Sequence, residues 1–371
     1  MTEQTIDYNS LPECYRTAHP MKLTALLDEE QKRAERWKQH ELSELLFELT
    51  DACNLSCKHC GSSCEKDGTY LSIEDVKSVV DEIAEAYEPA IRRISFTGGE
   101  PMLHPDFWNA AEYIISKGFQ TGMTTNGMLI TKERAKRFAD IGWGVITISI
   151  DGLAESHDEF RQKKGAWQLA MRGIDNLIEV GLIPSITTVA NMLNIDELEE
   201  LKKIFHDKGI KVWRVLNIDP IGRALDNPEL LLDAEASTKM WWFIENNRIN
   251  RREELPQVVA SCSHYLGPIH ELETRPWAFS CRSGITVASI TAKGEFVGCL
   301  DVERRPELIM GHIGQDSFVE AWENKYQPYR RSRVDDCEMC QECEHARFCN
   351  GDSMHTWNFD NNIPRLCIGA K

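Results

Sequence analysis

A chain of 371 residues, 42% hydrophobic and 27% charged, has the length and balance of an ordinary globular protein with room for two domains. A formal net charge of -17 repels phosphate backbones and makes nucleic acid a poor partner. The absence of any long apolar run argues against a membrane span, and the polar opening residues against a secretory signal, so a cytoplasmic protein is expected.

Residues 1–43 carry a short helical pattern in which Leu23, Leu26 and Leu27 precede a charged run. A helix packed outside the main domain is expected there, with the isolated Cys14 a simple thiol. From Glu44 strands and helices alternate, the pattern of an α/β domain with a parallel sheet. Strands are predicted at 45–49, 94–97, 120–125, 145–150, 183–189 and 212–218. Helices follow from Ser72, in a capping box with Asp75, from the cap Thr131, and over 166–180 and 196–208. Six β/α units over 44–224 fall short of the eight of a closed barrel, so a partial TIM barrel with an open side is expected. Its working residues belong at the carboxyl ends of the strands.

Residues 225–278 break this rhythm and read as a bridge, with Met240-Trp241-Trp242-Phe243-Ile244 predicting a helix with a broad apolar face. From 279 onward a β-hairpin around Lys293-Gly294 is followed by a loop-rich, cysteine-rich segment of the kind that needs metal for stability. Arg330-Arg331-Ser332-Arg333 reads as a solvated surface stretch.

Chemistry concentrates in three places. Cys53, Cys57 and Cys60 put three soft ligands in eight residues, enough for three corners of a metal centre with one left open. A closed zinc site with Cys64 as fourth ligand is the plainer alternative, at an unusual spacing. Further on, a strand ends in Gly98-Gly99-Glu100-Pro101. Glycines let the backbone approach a ligand closely, and the glutamate offers an acceptor for a cation; an ordinary turn with a surface glutamate is the alternative. Thr125, Asn126, Ser149 and Asp151 are small polar groups at strand ends, each equally at home in a turn. The thirteen cysteines are clustered, which argues for metal rather than disulfides.

C-x3-C-x2-C followed by a strand ending in Gly-Gly-Glu-Pro resembles the radical S-adenosylmethionine (SAM) superfamily. The resemblance implies that Cys53, Cys57 and Cys60 hold a [4Fe–4S] cluster whose fourth iron is chelated by SAM. Reductive cleavage of the sulfonium then yields a 5′-deoxyadenosyl radical. By the same resemblance Gly98, Gly99 and Glu100 position the methionine amino group, and Ser149 and Arg161 contact SAM. Thr125, Asn126 and Asp151 serve ribose and carboxylate, while His59 and Val189 flank adenine.

Cys281-x12-Gly294-x4-Cys299, then Cys337-x2-Cys340-x2-Cys343-x5-Cys349 and Cys367, resembles the SPASM domain with its auxiliary iron–sulfur clusters. The pattern assigns Cys340, Cys343, Cys349 and Cys367 to an outer cluster. Its inner cluster keeps Cys281 and Cys299 but meets Ser353 where a cysteine is expected, with Cys337, Cys262 or Ser353 itself as replacements. Structural zinc is the other use for such cysteines. One or two auxiliary clusters are therefore expected, together with a reductant such as flavodoxin or ferredoxin and a peptide or small-protein substrate. The implied reaction is a thioether or carbon–carbon crosslink, an epimerisation or an oxidation, with Cys64 or Cys262 a candidate hydrogen donor. The alternatives are a cofactor-synthesis enzyme, such as a haem-related tetrapyrrole decarboxylase, and a non-catalytic metal-binding scaffold.

Overall fold

The computed structural model describes residues 11–16, 18–62, 64, 66–261 and 264–367; Cys262 lies outside them. Eight strands run parallel: β1 (Glu44–Thr50), β2 (Arg93–Gly98), β3 (Gln120–Thr125), β4 (Val145–Ser149), β5 (Ser185–Ala190), β6 (Val212–Asn217), β7 (Gln257–Ala260) and β8 (Val287–Ile290). The antiparallel β9 (Glu295–Val297) and β10 (Gly311–His312) extend the sheet beyond β8, in the order β10-β9-β8-β1-β2-β3-β4-β5-β6-β7. This is a partial barrel. The hairpin of the cysteine-rich segment is not a separate layer, because β8 pairs directly with β1 through Glu44 and Val287.

Strand periodicity sorts the two faces of the sheet. Ile146 and Ile148, Ile186 and Thr188, and Trp213 and Val215 are buried. The alternating partners Thr147 and Ser149, Thr187 and Val189, and Arg214 and Leu216 line a cavity on the concave side. Polar strand residues that look like poor core therefore mark the working face.

The helices are α1 (Glu13–Arg16), α2 (Pro20–Gln39), α3 (Ile73–Ala86), α4 (Phe107–Ser116), α5 (Lys132–Asp140), α6 (Ala154–Arg161), α7 (Ala166–Glu179) and α8 (Leu198–Asp207). After them come α9 (Ala234–Ile249), α10 (Gly267–Thr274), α11 (Phe318–Asn324), α12 (Glu338–Gln341) and α13 (Ala346–Cys349). Thr131 caps α5 by accepting from Arg134 N. Ser72 stands at the N-cap of α3 in an extended conformation, but its side chain makes no capping hydrogen bond, so the expected capping box does not form. No helix among the described residues is long and apolar enough to cross a membrane.

Three expectations change. The bridge contributes a seventh barrel strand, β7, too short to show a period in sequence. In α9 only Met240, Phe243 and Ile244 of the aromatic run are buried while Trp242 is exposed, so the apolar face is narrow. Arg333 is buried, donating to Met354 Sδ at 2.6 Å and lying over the rings of Trp357 and Phe359, because the loop folds inward at this point.

The N-terminal helix α2 packs Leu23 and Leu26 with Tyr15, Tyr265 and Phe348, so it covers the cysteine-rich segment rather than the barrel. Beneath it α10 carries a fully buried ion pair, Arg275 to Glu271 at 2.8 Å. Glu271 also accepts from the backbone of Leu266 and Phe279. Removing one partner of such a pair strands the other charge. Arg275→Met is expected to cost about 3–5 kcal/mol, read from anaerobic urea denaturation.

A candidate cluster and cofactor site at the carboxyl rim

The segment after β1 carries Cys53, Cys57 and Cys60, and all three line one cavity of ≈ 470 Å³ at the carboxyl ends of the strands. Several hydrogen bonds hold this loop. Lys58 N donates to Phe160 O at 3.0 Å. Asn126 Nδ2 donates to Asn54 Oδ1 at 2.7 Å, joining the end of β3 to the loop. From beyond β6, Arg223 donates through Nε to Cys57 O at 2.8 Å and through a terminal nitrogen to Cys64 O at 2.9 Å. Arg223 was invisible as a site residue in sequence, since nothing near it marks chemistry. Its one signal is the preceding Gly222. A Cβ at Gly222, which has φ +51°, would sit 2.3 Å from the Cys60 carbonyl.

The thiols sit in unlike fields. Burial pushes Cys53 up to about 12. Burial also raises Cys57, against the pull of Arg161, whose guanidinium lies 3.8 Å from the sulfur. Cys60 is lowered to about 6 because the Cys64 thiol donates to it, with Arg223 assisting. Metal binding would hold all three as thiolates. Cys64, expected as a hydrogen donor, lines the same cavity as Cys60.

The remaining residues fall into two layers. Gly98, Gly99, Thr125, Asn126, Ser149, Arg161 and Val189 border the cavity, as does His59. The His59 ring is stacked flat on Phe160 with centroids 4.1 Å apart, and its Nδ1 is buried without a partner. Glu100 and Asp151 stand one layer back, both fully buried. The Glu100 carboxylate, expected to face a ligand ammonium, accepts from Thr125 Oγ1 at 2.8 Å and Asn126 N at 3.0 Å and ties β2 to β3. Asp151 accepts from Arg161 Nε at 2.6 Å and from Val189 N at 2.7 Å. Arg161 is thereby aimed at Cys57. Burial alone would lower its pKa; Asp151 and the Cys57 sulfur overcome that and raise it.

Three convergent thiols, with a guanidinium beside one of them and room in front, fit a cluster with an open position. The C-terminal cysteines divide. Cys281 lines a space of ≈ 30 Å³ with Arg333 and Met354, enough for one or two waters, while Cys299 lines the large cavity. The Tyr329 ring packs against Gly284 and Gly298 next to these cysteines. Ser353 is buried and its hydroxyl is engaged by Thr356 at 2.7 Å. The inner set does not fit a cluster. At the outer set, burial raises the Cys349 thiol, and Asp352, Cys367 and Cys343 push it further. Cys337 and Cys340, expected as metal ligands, have their sulfurs joined in a disulfide. The three-residue spacing and the Cys340 N to Cys337 Sγ hydrogen bond bring them together.

A further pair escaped sequence reading. His355, from the cysteine-rich segment, meets Asp219 at the end of β6 at 2.9 Å, deep between the main cavity and an adjoining one of ≈ 520 Å³. Burial would lower the imidazole pKa, but the Asp219 bond and charge, with Asp301 and Asp352, raise it.

Gly222→Ala is expected to loosen the Arg223 clamp, costing at least about 1–2 kcal/mol for the left-handed backbone alone and lowering the iron retained at the three-cysteine loop, measured by colorimetric iron assay. The Glu100 pKa is raised by burial from 4.5 to about 7. The folded state then holds a proton that the unfolded chain releases, so stability falls as pH rises between these values. Glu100→Gln should flatten that part of the wild-type stability profile, followed by thermal melts at stepped pH.

Family comparisons agree with this geometry. The profile of the radical SAM superfamily matches residues 47–207, and that of SPASM, an iron–sulfur cluster-binding domain, matches residues 281–344. The chain is 28% identical to an AdoMet-dependent heme synthase of Nitratidesulfovibrio vulgaris over 86% of this chain and 89% of that one. It is 25% identical to the mycofactocin maturase MftC of Mycobacterium tuberculosis over 84% and 78%. The structure of Streptococcus suis SuiB bound to its precursor peptide SuiA superposes with a TM-score of 0.65 at 18% identity, covering 88% of this chain and 75% of that one.

Proposed function

The chain is a radical SAM enzyme with a C-terminal SPASM domain, and on that basis we propose that it modifies a ribosomally made peptide or small protein in the cytoplasm. Its cofactors are S-adenosylmethionine, a [4Fe–4S] cluster and an auxiliary iron–sulfur cluster. When bound, the [4Fe–4S] cluster supplies the electron that cleaves SAM and so generates a 5′-deoxyadenosyl radical. Cys53, Cys57 and Cys60 would hold that cluster, and Gly98, Gly99, Thr125, Asn126, Ser149, Arg161 and Val189, which line the cavity, would border the SAM. A flavodoxin or ferredoxin serves as reductant.

The substrate reading rests on the lining of the space beyond the three cysteines. The cavity opens past His355 into the adjoining one, whose walls carry Glu48, Asp51, Glu295, Asp301 and Glu303 against Lys293, Arg304 and Arg365. Trp357 and two histidines are the aromatic rings across both linings. An elongated channel whose walls interleave carboxylates and cations suits a peptide with groups of both kinds. A tetrapyrrole macrocycle needs broad apolar or aromatic faces, and across both linings the aromatic rings are only Trp357, His59 and His355. The opposing reading, a haem-related decarboxylase, is supported by the heme synthase relative, which is similar over most of both chains.

Anaerobic reduction with SAM, followed by mass spectrometry of candidate peptides and of iron-coproporphyrin III, separates the two. A mass change in a peptide that Cys53→Ala abolishes supports the peptide reading; decarboxylation of the macrocycle refutes it. In the same assay His355→Ala is expected to lower product formation on the order of 100-fold while 5′-deoxyadenosine still forms. Asp219→Asn removes the charge that holds the imidazole proton, so the alkaline limb of the pH–rate profile should move to lower pH.

A further inference from the structure

The segment between β6 and the cysteine-rich end sets three metal-binding side chains side by side, outside both cavities of the carboxyl rim. Glu245 stands on α9. His270 and Glu273 stand three residues apart on α10, which puts them on one face of that helix. The ligand atoms of all three lie within 4.8 Å of one another, with His270 Nδ1 2.6 Å from Glu245 Oε1. Atoms that close need only small side-chain rotations to surround one ion at bond lengths of about 2.0–2.2 Å.

The frame around them is fixed by other bonds. Arg248, one turn on from Glu245, donates through Nε to the Glu273 carbonyl at 2.9 Å and ties α9 to the last turn of α10. Lys22 of α2 donates to the Ile269 carbonyl at 2.7 Å and to Glu273 Oε1 at 2.5 Å. Among the described residues, the second oxygen of Glu273 and the second oxygen of Glu245 accept no hydrogen bond. Two carboxylates against one ammonium leave net negative charge for a cation. The Glu245 and Glu273 side chains are only 16% and 26% exposed, whereas the imidazole is 54% exposed, so an ion would enter on the imidazole side and keep water there. A His-x2-Glu pair on one helix facing a Glu on its neighbour is the kind of set from which helix pairs build metal sites, and the imidazole separates it from a plain acidic patch.

We propose that Glu245, His270 and Glu273 bind one divalent transition-metal ion, with water completing its coordination. The ion would clamp α10 onto α9. Helix α10 also carries Glu271, which accepts from the backbone of Phe279 at 2.7 Å, two residues before Cys281. The clamp would therefore steady the connection from the barrel to the cysteine-rich segment. The inference is independent of the substrate and of the iron–sulfur sites.

The test uses the full iron-loaded chain under anaerobic conditions, with Mn2+ as the probe because it favours carboxylate and water over thiolate. Titration followed by the EPR signal of free aqueous Mn2+ is expected to show a site that His270→Ala and Glu273→Gln each weaken at least about tenfold, the smallest loss usual when a metal's surroundings are disturbed. Zn2+ should displace the bound Mn2+, as the general order of affinities requires. Lys22→Ala keeps all three ligands and removes the competing ammonium, so it should bind Mn2+ more tightly; three residues that merely pair with one another would show no such gain. Hydrogen exchange of the α9 and α10 amides in the unmutated chain, which no misfolded variant can confuse, should slow when Mn2+ is added. Equal Mn2+ affinity in the wild type and His270→Ala overturns the proposal, as does exchange in α9 and α10 that ignores the ion.

Discussion

The architecture of the site depends on one buried cation. Arg161 is charged, almost wholly enclosed, and held by Asp151 while facing the sulfur of Cys57. Asp151 lies two residues past β4 and accepts from Val189 of β5, and the Phe160 carbonyl next to the arginine accepts from Lys58 in the cysteine loop. Two strands, a helix end and the ligand loop are thus locked by one ion pair. A charge in such a place is tolerable only while its partner is present; losing the carboxylate would leave it unpaired at a cost of about 3–5 kcal/mol. The same positive field stabilises a thiolate where a metal needs one.

Around that cation the rim is built from backbone proximity rather than from protruding side chains. Gly98 and Gly99 pack so closely on the turn after β1 that an added Cβ would lie 2.3 Å from the Thr50 carbonyl and 2.0 Å from the Ala52 carbonyl. Glu100 and Asp151 work from behind, orienting Thr125, Asn126 and Arg161, while the smaller groups meet the cavity. Residues that read as ligands in the motif are therefore partly the supports of the ligand-facing layer.

At the far end of the sheet, β8 extends the barrel, so the cysteine-rich segment is carried on the same framework as the cluster loop. This lets His355 reach Asp219 across the cavity and makes the second segment part of the wall facing the substrate. The place where the family pattern lacks a cysteine is not left open for metal: Ser353 bonds to Thr356, and Arg333, Met354 and Tyr329 occupy the neighbouring space. The departure in sequence and the packing in space have the same explanation, since a site without its third thiolate is filled by side chains.

Much was legible in one dimension. Period-two and helical patterns located six of the parallel strands, because each strand must bury one face on a helix whatever its neighbours are. The spacing of Cys53, Cys57 and Cys60 and the Gly-Gly-Glu turn named the chemistry, because ligands on one short loop meet regardless of the rest of the fold. What remained hidden depends on residues far apart in the chain. Arg223 clamps Cys57 from 166 positions away, His355 meets Asp219 across 136, and Cys14 faces His345 across 331. No local pattern encodes such partners, since each is specified only when loop closure and burial bring two unrelated stretches together. The sequence by itself determined how the radical is generated. The tertiary structure alone decided which side chains stand behind the ligands and what wall the substrate meets.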